Sequence, residues 1–512
     1  MATLAPRRVA LIEAGSPGLN IYSHVAMGRG VALLGTVLRD AGYETRVFIE
    51  DVSGKDSIDW DFVAASDVVG FSAITCTLPR TAELIANTRT VAPHATVVMG
   101  GPEPTCAPMR SLSIGADYVL RGEAELTLPR FLRALLGPVR EPLDGIAGLV
   151  WIEGTQLHEG PAPVQLDRTQ LDALPILDRS LIHHGEMSDV APVWRARGCP
   201  ERCSFCEVCQ IWPRYVTRRD DQSLDEMMDA QRAGYSTVFL IDDNAAANKP
   251  AFKEFLRGVS ARGYAQTLVT QIRADSVFRK DGRLDREFLM LLKKAAAITV
   301  VCIGVESADD ADLETLGKHI DSSRMEKALK AMRHYGLLVH GMFIALNEDS
   351  REVIERNAKF ARKCVTSLQY LFETPLPGTV RTHQHESRGS MLFSAIEDLA
   401  LFDGMHVVLK PENMLPAEMQ ELVLAAYKRF YSTRRVVAAA LRGTFARFRL
   451  LTQAQRSHLR ELRLRERIRE WAWYHIEYKY APVGFLEIGR RRMREMLADP
   501  TYMAFEARIK AL

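Results

Sequence analysis

RGCPERCSFCEVCQIW, residues 197–212, is the stretch on which the reading of this chain turns. It places Cys199, Cys203 and Cys206 at C-x3-C-x2-C spacing, directly after the strand-like run VWRARG. With Cys209, four of the chain's eight cysteines fall within these few residues, a pattern that in a reducing compartment marks a metal or redox site rather than a disulfide framework. Three thiolates on one short loop can ligate three irons of a four-iron, four-sulfur cluster and leave the fourth iron open to a substrate. The alternative is a structural zinc ion with Cys209 as fourth ligand. Zinc ribbons bring two separated ligand pairs together, whereas these cysteines form a single loop. The cluster is therefore favoured, with Cys209 as its neighbour.

Downstream of the cysteines a strand–helix beat continues. STVFLIDDN (236–244), TLVTQIRAD (267–275), ITVVCIGVES (298–307), LVHGMFIAL (338–346) and SLQYLFETPLPG (367–378) read as strands separated by amphipathic helices. Counting the strand before the cysteines, six such units predict a partial or full parallel barrel, with its chemistry at the C-terminal strand ends. Upstream, VALIEAG (9–15), TRVFIED (45–51), DVVGFSAIT (67–75), TVVMGG (96–101) and ADYVLRG (116–122) alternate with helical patterns. The crevice of such an open sheet lies outside the carboxyl ends of its strands, where Ser72, Thr75, Gly100 and Gly101 fall. The fold class is α/β. The expected division is an N-terminal Rossmann-like domain (1–145), a hairpin and linker (146–190), a barrel (191–410) and a basic helical region (411–512).

The composition is that of a globular protein: 512 residues, 47% hydrophobic and 25% charged, with a formal net charge of +2. Wholesale disorder and a disulfide-stapled miniprotein are excluded. No apolar run is long enough to span a membrane, the start lacks a signal peptide's apolar stretch, and a cytoplasmic location is expected. The charge is uneven, residues 434–512 alone carrying +10. Trp471, Trp473, Tyr474, Tyr478 and Tyr480 interleave with that charge, which suits a nucleic-acid or membrane surface. The sign alternation in ELRLRERIRE instead suits a solvated helix face, and no nucleic-acid partner is favoured.

The cysteine spacing, with Phe205 just before the last ligand, resembles the signature of radical S-adenosylmethionine (SAM) enzymes. The preceding α/β domain, with GFSAIT, MGGPEPT and RGEAE, resembles that of the cobalamin-binding subfamily, and the resemblance runs from about residue 7 to 432. It implies a 4Fe-4S cluster held by Cys199, Cys203 and Cys206, SAM chelated by the open iron, and cobalamin in the first domain. Carried over by position, Asp242 and Asp243 would bind the SAM amino group, Glu306 the ribose hydroxyls, and Arg273, beside Gln271, the SAM carboxylate. Each carboxylate has a plainer alternative as a helix cap. Two departures stand out. MFIALNEDS replaces a glycine-containing stretch after the fifth strand, and the Asp-x-His-x-x-Gly motif of a lower axial histidine is absent, His24 lacking the Asp. Cobalamin would lie without a histidine ligand, against the loop Ser72 to Leu78, with its tail near Gly100 and Gly101.

The resemblance implies C-methylation of an unactivated carbon, using a 5′-deoxyadenosyl radical and methylcobalamin. A radical cyclase or ring-rearranging enzyme with the same cofactors is the first alternative. The second is a cluster protein whose first domain serves as a partner-binding module. The expected partners are a small-molecule substrate and an electron donor such as flavodoxin or ferredoxin. Substrate contacts are expected from the loop Glu373 to Thr379 and the C-terminal helices, with His340, Tyr370 and His383 as candidates.

Overall fold

The computed structural model describes residues 7–16, 29–137, 141–185, 188–445 and 477–511. Its chain divides into two compact units. The first takes residues up to Pro192 together with Ala196–Glu226 and Thr374–Asp403, and the second takes Val193–Arg195, Met227–Glu373 and Gly404 onward.

In the first unit, five runs rich in β-branched residues form strands buried along their centres: β1 (Arg8–Glu13), β2 (Glu44–Ile49), β3 (Val68–Ser72), β4 (Thr96–Gly100) and β5 (Tyr118–Leu120). They pair in parallel in the order β2-β1-β3-β4-β5. The hairpin β6 (Leu149–Glu153) and β7 (Gln156–Glu159) extends this same sheet antiparallel from β5. The hairpin joins because its inner face is apolar: Leu149 and Trp151 pack into the core with Val9, Val68, Leu120 and Phe131. Helices Arg29–Asp40, Leu78–Val91 and Thr127–Leu136 bury one stripe each, as the sequence periodicity predicts. Two short strands, β9 (Ala196–Arg197) and β10 (Val216–Thr217), pair antiparallel on either side of the cysteine loop. Segment 218–226 is anchored by Glu226, fully buried between Arg218 and Arg29, with Arg29 Nη1 2.5 Å from Glu226 Oε1.

The second unit carries β11 (Thr237–Leu240), β12 (Thr267–Gln271), β13 (Ile298–Glu306), β14 (Leu338–Ala345) and β15 (Ser367–Phe372), paired in parallel in sequence order. The remaining strand, β8 (Val190–Val193), lies beside β11, and Ile241 N donates to Val193 O at 2.8 Å. The sheet is the open, partial form of the expected barrel. Its β15 edge is covered by tyrosines. Leu368 N donates to Tyr431 Oη (2.9 Å), whose hydroxyl donates to Leu368 O (2.7 Å), and Tyr370 N donates to Tyr427 Oη (2.7 Å). These contacts satisfy backbone groups that an exposed edge would leave open to another chain.

The tyrosines come from helix Pro416–Phe430 and the residue after it, and helices Thr433–Phe445, Glu477–Leu497 and Pro500–Lys510 complete the C-terminal region. Gly489 abuts the Tyr431 ring so closely that a Cβ there would lie 2.2 Å from it. The part of the basic tail described is thus helix packed on a sheet edge. His24, Trp471, Trp473 and Tyr474 lie outside the described residues, as do the side chains of Tyr478 and Tyr480. Among the described residues no helix is long and apolar enough to cross a membrane.

Candidate active site

The cysteine loop begins at Gly198, whose φ of +80° suits glycine and where a Cβ would lie 2.3 Å from Arg214 O. From that turn Cys199, Cys203 and Cys206 follow, all half-buried, with Cys206 N bonded to Cys203 O at 3.1 Å. Phe205 is half-buried beside them. The Cys209 thiol turns back on its own loop and donates to Cys206 O at 3.5 Å. Among the described residues no three His, Cys, Asp or Glu side chains converge on a single point that could hold one metal ion. A tetrahedral zinc site needs that convergence. A cubane does not, because each thiolate meets a different iron. Three thiols on one loop, with the fourth turned to its own backbone, are the ligand set that a cluster with one open iron needs.

Three contacts hold this loop within the first unit. Arg197 lies between Glu123 and Glu125, with Nη2 2.5 Å from Glu125 Oε1 and Nη1 bonded to Glu123. Burial alone would lower the Arg197 pKa, but Glu125 and Glu123 together raise it; burial also pushes Glu123 up against the pull of Arg197. On the far side of the cysteines, the short helix Pro102–Cys106 packs against the helix Val208–Ile211. Burial and the nearby carboxylate push the Cys106 thiol up to about 12, and burial pushes Glu207 up to about 7. Third, Arg381 N, in the first turn of helix Val380–Arg388, donates to Ser204 O at 3.1 Å. Gly378 of the loop Glu373 to Thr379 faces Gln210 and Cys106. The expected substrate loop thus runs in part along the cysteine loop.

At the C-terminal ends of the first sheet, Ser72 ends β3, and Gly101 takes a φ of +104°, so near the β3 loop that a Cβ would lie 2.9 Å from Ala73 O. Gly100 has only ordinary contact space, its Cβ position 3.4 Å from Leu120 O. Thr75 is 3% exposed and its hydroxyl donates to Glu103 Oε2 at 2.6 Å. Loops 72–78 and 100–106 approach so closely at Gly101 that a side chain there would displace the β3 loop, and they stand where the resemblance places the corrin.

The strand ends of the second unit hold the remaining candidates. Asp242 is fully buried and its Oδ1 accepts from Arg195 N, in the connection between β8 and β9, at 2.7 Å, whereas Asp243 is half-buried beside it; the next helix is capped by Asn248 and by neither aspartate. Gln271 ends β12 and is half-buried. Arg273 is held on Asp275 by two bonds, Nε–Oδ1 3.1 Å and Nη2–Oδ2 3.2 Å, so a carboxylate ligand would share that guanidinium. Glu306 ends β13 at a bulge, with a φ of +60° that non-glycine residues seldom adopt. Its carboxylate folds back over Gly304, where a Cβ would lie 2.3 Å from Glu306 Oε1. Strain of this kind gathers at functional sites.

Sequence reasoning passed over two residues here. Lys318 Nζ lies 2.8 Å from Glu306 Oε1. Asn347, in the divergent stretch MFIALNEDS, is 2% exposed and its carboxamide makes no hydrogen bond among the described residues, although its backbone N donates to Glu373 Oε2 at 3.0 Å. That departure from the family pattern was the available signal. Of the other candidates, His340 is buried between Ser367 and Gln369, the Tyr370 hydroxyl accepts from Asn357, and His383 is exposed beside Glu386.

Residues 23–132 match the B12 binding domain, and residues 195–361 match the Radical SAM superfamily. This is a B12-binding radical SAM enzyme. It is 24% identical over 445 residues to the anaerobic magnesium-protoporphyrin IX monomethyl ester cyclase of Cereibacter sphaeroides, covering 84% of this chain and 71% of that protein. It is 28% identical over 404 residues to the hopanoid C-3 methylase of Methylococcus capsulatus, covering 77% and 74%. In fold, the enzyme is similar to the radical SAM methyltransferase TsrM of Kitasatospora setae, solved with cobalamin and a 4Fe-4S cluster bound. The TM-score is 0.62 at 18% identity, over 76% of each chain.

Proposed function

We propose that this enzyme is a C-methyltransferase acting on an unactivated carbon of a large, partly apolar biosynthetic intermediate. The observation that carries the reading is the C-x3-C-x2-C loop anchored in one compact unit with the strand-end loops of a B12-binding sheet. When bound, the cluster and SAM supply a carbon-centred radical that removes hydrogen from the substrate, and cobalamin supplies the methyl group.

The chain's own residues bind, orient and exclude water. Cys199, Cys203 and Cys206 ligate the cluster and leave one iron open for SAM. Asp243 takes the SAM amino group, Arg273 its carboxylate and Glu306 its ribose hydroxyls, while Gln271 lies beside them. Asp242 acts one step back by holding the Arg195 amide. The loops 72–78 and 100–106 hold the corrin, with Ser72 and Gly101 at their closest approach. A low-potential carrier such as flavodoxin or ferredoxin delivers the electrons, and a cytoplasmic location fits that need.

A second reading is supported by the cyclase relative, whose match spans more of this chain than the methylase match does. Anaerobic reconstitution with SAM and a reductant separates the two. A methyltransferase yields both 5′-deoxyadenosine and S-adenosylhomocysteine, whereas a cyclase yields deoxyadenosine alone.

A further inference from the structure

The segment RGEAE, Arg121–Glu125, follows β5 at the crevice end of the B12-binding sheet, yet neither of its glutamates is directed to a free surface. Both are taken by Arg197, two residues before the first cluster cysteine. Side-chain exposure is 12% for Arg197, 3% for Glu123 and 9% for Glu125. The second oxygen of Glu123 is also engaged, accepting from Leu166 N in the linker. Every ionised group in this array is therefore out of water and occupied from within the protein.

Burying three charges is an expensive way to gain stability: the desolvation cost is several kcal/mol per ion, and a well-packed apolar trio of the same size would serve as well or better. The best-attested use of such an array is to fix register. A guanidinium suits that use, because its planar fork fixes two acceptors in set directions where an ammonium would accept many. The array also has a counterpart. On the other flank of the cysteines, the short helix Val208–Ile211 packs on the short helix Pro102–Cys106, which follows β4. The loop carrying Cys199, Cys203 and Cys206 is thus seated at both ends on loops that leave adjacent strands of one sheet.

We propose that Arg197, seated between Glu123 and Glu125, is the positioning residue that registers the cysteine loop on the strand ends of the B12-binding sheet. RGEAE then serves the cluster loop and does not contact cobalamin. The inference rests on the function proposed above, in that the loop carries the cluster.

The test uses the cobalamin-saturated, cluster-loaded enzyme. R197M and the E123Q/E125Q pair are each expected to speed amide hydrogen exchange in peptides covering 199–212 by about tenfold, while cobalamin stoichiometry is kept. They are also expected to lower the ratio of S-adenosylhomocysteine to 5′-deoxyadenosine by about tenfold, because the first product depends on register with cobalamin and the second does not. R197K, which keeps the charge and loses the fork, falls between. Combining R197M with E123Q/E125Q adds nothing further, since all act through one array. Unchanged exchange in both variants, additive effects, or a fall in cobalamin affinity with no change in exchange overturns the proposal. Wild-type protein that takes up no iron and sulfide instead refutes the cluster assignment beneath it. Should R197M fail to accumulate, E123Q/E125Q gives the same reading.

Discussion

Lys318 and Glu306 form a buried ion pair, Nζ to Oε1 2.8 Å, in which the carboxylate belongs to a left-handed residue folded over Gly304. With side-chain exposures of 10% and 8%, neither charge has water to fall back on. Removing one partner strands the other, at about 3–5 kcal/mol. K318M is accordingly expected to lower the thermal midpoint and to weaken SAM binding in calorimetric titration, and K318M/E306Q to regain stability without regaining SAM affinity. G304A displaces the carboxylate and is expected to weaken SAM binding while leaving the fold intact. Full SAM affinity in E306Q would remove Glu306 from the site.

The cysteines divide by geometry. Cys199, Cys203 and Cys206 are expected to be individually essential for the cluster, each Ser variant losing most of its iron and acid-labile sulfide after anaerobic reconstitution. C209S is expected to match the wild type, because that thiol is turned to the Cys206 carbonyl. Loss of iron in C209S would return the loop to a four-thiolate site.

Asn347 holds a buried carboxamide without a hydrogen-bond partner among the described residues, a cost of about 1–3 kcal/mol to the ligand-free fold. N347L is expected to raise the thermal midpoint of the ligand-free enzyme and to weaken SAM binding, the pair of effects that marks a polar group kept for a ligand. A stabilised variant with unchanged SAM affinity would make Asn347 a packing residue.

His340 gives a pH dependence. Burial lowers its pKa from 6.5 to about 4, against the opposing hydrogen bond that its ring donates to Gln369 Oε1. The neutral ring is the folded form, so its contribution is complete above pH 6.5. It declines as the pH falls towards 4, where the unfolded chain binds a proton that the folded chain refuses. The full loss is about 3 kcal/mol. Denaturation midpoints of the wild type are expected to fall more steeply across that interval than those of H340Q.

Much of the fold was legible because parallel strands buried on both faces read as apolar runs: each of the five runs from 236 to 378 contains a strand of the second sheet. The hairpin was legible as a hairpin, but its attachment to β5 was not, since Leu149 and Trp151 do not declare which sheet they complete. In the site, the cysteine spacing carried its own chemistry. Lys318 and Arg197 were missed for a different reason. Their partners lie 12 and more than 70 residues away, and nothing local distinguishes a lysine or arginine that will be buried from one that stays in water. Asp242 and Asp243 are neighbours of identical type, and only the fold separates the one that holds the Arg195 amide from its neighbour.

Residues 196–226 and 374–403 fold with the N-terminal sheet, although they come from the part of the chain that reads as a barrel. The two modules are therefore not interchangeable cassettes. A chimera spliced at the linker would bring in a foreign corrin-binding sheet whose acidic seat was shaped for another arginine. Evolution within this lineage should accordingly move the RGEAE-type segment and the residue two places before the first cysteine as a linked pair.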